Sequence, residues 1–155
     1  MKTALRSILF FFIIILVSGC IPAPTVEPTP TAYAPYRITP EENPYAPLTG
    51  DLGLQIAGVT ITSVSLSERL DLTPTRVMLR IQGSMPSVCN QLRVTISLPD
   101  ENFRIFIEAY SLVNKDIKCD AVFQQFEADI LLGTYSSGRY TVWVNGGLVG
   151  DFVSY

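Results

Sequence analysis

Along residues 59–153 the apolar side chains recur at every second position, and no long stretch shows the three-and-four spacing of a helix. That period restricts the chain to half-buried strands. Residues 59–66 open the series with β-branched side chains, and the apolar phase slips between Ile61 and Val64, which predicts a bulge. Val77, Leu79 and Ile81 alternate with Met78, Arg80 and Gln82, and Gly83 is read as the end of that strand. Leu92, Val94, Ile96 and Leu98 oppose Arg93, Thr95 and Ser97. After the turn composition of Pro99 to Asn102, Phe103, Ile105 and Ile107 form the inner set of a strand reaching Ala109. Phe126, Ala128, Ile130 and Leu132 line one face of the next.

The last third carries the most specific pattern. Gly138 stands two residues before Tyr140, which begins the alternating run Tyr140-Thr141-Val142-Trp143-Val144. This arrangement is similar to the tyrosine corner of immunoglobulin-like and fibronectin-type sandwiches, which implies a buried ring and a hydroxyl bonded to nearby backbone. Asn145-Gly146 follows directly, the signal of a two-residue hairpin whose central positions both take positive φ. Residues 148–153 are then the returning strand. The expected fold is all-β, an antiparallel immunoglobulin-like β-sandwich of about seven strands over residues 50–155, a length that suits one core.

Three cysteines are present. Cys89 and Cys119 both fall in connections between strands and are expected to form one structural disulfide at an end of the sandwich. The alternative, a pair of redox-active thiols, calls for a compact Cys-x-x-Cys spacing that the chain lacks.

The first 19 residues follow the three-part layout of an export signal: Lys2 and Arg6, an apolar run at 8–17, then the small residues Ser18 and Gly19. The run is too short for a membrane span, which takes roughly 17–25 residues. Val17-Ser18-Gly19-Cys20 resembles the lipobox of bacterial lipoproteins. The resemblance implies cleavage before Cys20, acylation of its thiol, and a protein anchored by lipid on the extracytoplasmic side of a membrane. Eight of the eleven prolines lie within residues 21–49, so residues 20–49 read as the lipidated cysteine and a disordered Pro/Thr-rich tether of up to ~90 Å. Asn43-Pro44-Tyr45-Ala46-Pro47 is a candidate to fold back on the domain. Taken together, the mature pattern looks like a recurrent type of small bacterial lipoprotein of uncharacterised function, a resemblance that brings no catalytic residues with it.

Loss of Lys2 and Arg6 leaves 9 basic residues of 11 against 14 acidic ones. With no basic cluster, nucleic acid is not an expected partner. The chain has no histidine, which removes Ser-His-Asp and Cys-His catalysis and the usual zinc sites. The acids Asp100, Glu101, Glu108, Asp120, Glu127 and Asp129 show no pairing that would mark a glycosidase. Calcium at Asp100 to Asn102, or at Asp116 and Asp120, is weighed against a simple solvated turn, and the turn is preferred. The expectation is a non-enzyme without cofactor or metal. If Tyr140, Val142 and Val144 face inward, then Arg139, Thr141, Trp143 and Asn145 face outward. Arg93 and Thr95 would flank them from a neighbouring strand. A lone tryptophan on such a face suits an interaction hot spot; the alternative is a Trp143 covered by the tether, by side chains of the last strand or by stacked arginines. The chain is therefore expected to dock another envelope protein. A carbohydrate- or cell-wall-binding module, and an extracellular protease inhibitor presenting residues 85–90, are the alternatives.

Overall fold

A computed structural model describes residues 42–155; the expected signal, Cys20 and most of the expected tether lie outside the described residues. Eight strands are present among them: β1 Gln55–Ala57, β2 Thr60–Arg69, β3 Arg76–Met85, β4 Gln91–Ile96, β5 Arg104–Val113, β6 Gln124–Leu131, β7 Gly138–Val144 and β8 Gly147–Ser154. They form two sheets. One is the antiparallel trio β2-β3-β6, and the other holds β4, β5, β7, β8 and β1 around the long strand β5. Leu79, Ile81, Val94, Ile105, Ile107, Ile130, Val142 and Tyr140 meet between the sheets and are almost fully buried.

Several details refine or correct the reading of the sequence. The strands, expected to number about seven, are eight, the three-residue β1 pairing with the end of β5 (Gln55 opposite Val113, Ala57 opposite Ser111). The buried Ser111 hydroxyl donates to the Ala57 carbonyl at 3.1 Å and holds it there. The pairing of β5 with β7 is parallel, with Ile105 opposite Val142 and Phe106 opposite Trp143; every other pairing is antiparallel. Phe103 precedes its strand, with φ 58°, and lies with its edge against Tyr140 instead of entering the core. Leu98 lies beyond β4, exposed.

Gly83 does not end β3, which continues to Met85. The bulge expected in β2 is present between Ile61 and Ser63. Beside it the Thr60 carbonyl approaches so closely that a Cβ on Gly83 would lie 2.3 Å from its oxygen, and the Phe126 ring covers the same spot. Here glycine serves close backbone approach. Gly83→Ala should therefore destabilise the fold by about 1–3 kcal/mol, the usual cost of overpacking. An unchanged denaturation midpoint would contradict this close packing.

One flank of the sandwich closes on itself, where Leu66 of β2 reaches Gly150 of β8. The other flank is closed by residues ahead of β1. The buried Asn43 amide donates to the Val94 carbonyl at 3.0 Å, and the Val94 N–H donates to the Tyr45 carbonyl at 2.7 Å. Tyr45 then donates its hydroxyl to the Glu127 carbonyl across the gap at 3.3 Å. This segment thus covers the free edge of β4 and ties it to β6, leaving less open ladder for a stray strand. The fold-back expected at Asn43 to Pro47 is present, through Asn43 and Tyr45.

Candidate functional site

The five-stranded sheet presents its second face to solvent, and its composition differs from that of the opposite sheet. On the outer face of β2-β3-β6 the polar groups satisfy one another. Arg80 grips Asp129 through two hydrogen bonds of 2.7 and 2.9 Å, and Gln82 donates to Glu127 at 2.7 Å. On the outer face around β5 the centre is apolar. Phe106 is 39% exposed and neighbours Trp143, with ring centroids 6.4 Å apart. Leu148, 59% exposed, pairs with Trp143 from β8.

Leu148 reaches that face because of an irregularity. Val142 pairs with Gly150 but Trp143 pairs with Leu148, so Val149 is the extra residue of a bulge. Strict alternation from Gly150 would turn Leu148 inward; one inserted residue turns it out beside the tryptophan.

Polar groups surround this row. Arg104 lies over the Phe106 ring, 5.5 Å from its centroid, and pairs with Asp100 at 2.6 Å. The indole N–H of Trp143 donates to the Thr141 hydroxyl at 3.2 Å. Glu108 follows Phe106 on the same side of β5, opposite Thr95. Beyond it Ile56, Thr95, Glu108, Tyr110 and Asn145 line a shallow open depression.

Thr141, Trp143, Asn145 and Thr95 all belong to this sheet face, while Arg139 stands at its rim, paired with Asp151. The strands carrying Thr95 and Trp143 are not neighbours, since β5 runs between them. Two of the named residues have structural occupations. Arg93 is 7% exposed and donates to both carboxylate oxygens of Asp51 at 2.7 Å, fixing the 3-10 turn Thr49–Asp51 over that end of the sheet. Asn145 takes φ 47° and Gly146 φ 82°, as the hairpin requires. The Asn145 side chain both accepts from the Ala109 N–H at 2.8 Å and donates to the Ala109 carbonyl at 2.9 Å. It thereby extends the β7 ladder along β5 by a side chain. Phe106, Arg104 and Leu148 were not singled out from the sequence. Phe106 was legible by the same alternation that put Ile105 and Ile107 inside, whereas Leu148 depended on the bulge.

Cys89 and Cys119 are bonded, joining the β3–β4 and β5–β6 connections. Within the residue 85–90 connection Ser87 and Asn90 are buried, Asn90 donating to Ser111 at 2.9 Å, while Pro86 and Val88 are exposed. Among the described residues no group of three or more His, Cys, Asp or Glu side chains could hold a metal ion.

Electrostatics here serve stability. Hydrogen bonds from Arg93, Arg104 and Arg80 hold Asp51, Asp100 and Asp129 below the usual carboxylate range. Depressed folded-state values mean that the unfolded chain takes up protons first, so their contribution is present above about pH 4 and is lost as pH falls from there through the lower folded-state values. Burial pushes the Tyr135 hydroxyl up to about 12, so its contribution is lost as pH rises from about 10 toward that value. With no histidine, denaturant midpoints should be flat between about pH 5 and 7; a titration step in that window would contradict this account.

The geometry defines a two-sheet β-sandwich with one disulfide and an aromatic outer face. Residues 79–154, from within β3 to the last strand, match the family model of the ORF11 beta-sandwich domain. No curated protein and no solved structure matches the chain.

Proposed function

We propose that this protein is a lipid-anchored module of the bacterial cell envelope. Cys20 holds it on the extracytoplasmic side of a membrane, and it docks another envelope protein through the outer face of the five-stranded sheet. The observation that carries the docking is the contrast between the two faces: ion pairs on one, the row Phe106, Trp143 and Leu148 on the other. An exposed Phe106 and Leu148 beside a partly buried Trp143, with an arginine against the Phe106 ring, have the composition of an interface centre.

The anchor and the docking face are tested in cells. Labelled fatty acid should enter the wild-type chain and not Cys20→Ala. A photo-crosslinking residue at 148 or 95 should give a discrete protein adduct, and one at 65, on the opposite face, should not. Absence of any adduct from 148 and 95, with folding and membrane attachment intact, would remove the docking face. An adduct that collapses on glycosidase treatment would replace the protein partner by a glycan.

A further inference from the structure

We infer that the partner at this face is a second copy of the same chain; the inference rests on the docking reading above and names its occupant. Along β5 the outward side chains run Arg104, Phe106, Glu108, a cation, a ring and an anion at equal spacings of ~6.8 Å. Two copies facing each other can share a two-fold axis in the plane between them, perpendicular to β5 and level with Phe106. That operation sets Phe106 and Trp143 against their own counterparts and places each Arg104 opposite the Glu108 of the other copy, as an isologous interface requires. Sheets packed face to face lie ~10 Å apart, a gap that an arginine and a glutamate span together. Arg104 uses its Nε and Nη2 edge on Asp100, which leaves Nη1 for the partner.

The face is small. Four strands of about seven residues cover roughly 450 Å² in plan, below the ~800 Å² per partner of a standard interface. The pairing therefore depends on both copies sharing one membrane surface, which raises their effective concentration. The full-length anchored chain in cells is the form to test.

Two differently tagged copies are expressed together, each with the photo-crosslinking residue at 148. The expected result is an adduct carrying both tags. Glu108→Arg in both copies, or Arg104→Glu in both, should lower its yield by about tenfold or more through like-charge contacts. One copy with Glu108→Arg beside one with Arg104→Glu should restore it, because both cross-pairs are then opposite in charge. Phe106→Ser in both copies should abolish the adduct without altering charge, and thermal midpoints report that each variant is folded. An adduct with a different protein would overturn this inference and leave the docking reading standing. A two-tag adduct indifferent to the charge reversals would overturn the proposed register. No adduct would overturn both readings.

Discussion

Tyr140→Ala should lower the unfolding free energy by about 3–5 kcal/mol, the range for deleting a large aromatic side chain from a core. The ring is 1% exposed and holds three other rings together. Phe152 stacks on it at 5.5 Å, Tyr135 lies at 5.0 Å and Phe103 meets it edge-on at 5.3 Å. Those neighbours come from three other parts of the chain, so a cavity here cannot be refilled by one local shift. Its hydroxyl donates to the Ser136 carbonyl at 2.9 Å, the backbone bond expected of a tyrosine corner. Tyr140→Phe keeps the packing and should cost only about 1 kcal/mol. Denaturant midpoints of the two variants separate the terms, and equal losses would mean that the hydroxyl matters more than the ring.

Removing the disulfide should have an effect of similar size. Cys89 and Cys119 close a loop of 30 residues, and the chain-entropy model gives roughly 3–4 kcal/mol for that length. The loop encloses β4 and β5, which already pair as neighbours from Gln91 opposite Leu112 to Ile96 opposite Ile107. The bridge therefore restrains an unfolded chain more than it shapes the native one. Cys89→Ser with Cys119→Ser should retain native spectra in dilute buffer while the unfolding midpoint falls. A loss below about 1 kcal/mol would show that the unfolded chain was already held compact by other means.

Much of this architecture was legible because alternation fixes which side of a strand faces inward. Val77, Leu79 and Ile81, the set Ala128, Ile130 and Leu132, and the outward turn of Thr141 and Trp143 all followed from period two alone. Alternation is silent on which strand pairs with which, and in what direction. The placing of β5 between Thr95 and Trp143, and its parallel run beside β7, depend on long-range docking that no local spacing encodes. Arg93 shows the same limit from the other side. Its strand position puts it on the outer face, but Asp51 lies over it, and that contact spans 42 residues of sequence. β1 escaped notice because three residues with an exposed Ile56 carry no periodic signal.

The Asn145 carboxamide gives the molecule a chemical lifetime as well as a shape. Asparagine followed by glycine is the sequence in which the next backbone nitrogen most readily attacks the side-chain carbonyl, expelling ammonia to form a cyclic imide that water then opens to aspartate or isoaspartate. The bonds to both backbone groups of Ala109 hold that carbonyl in place and slow the attack while the sheet is intact. Once the change has occurred it is self-reinforcing, because a carboxylate cannot donate to the Ala109 carbonyl and sets negative charge against it. The joint between β5 and β7 is thus where an ageing copy of this protein would begin to loosen.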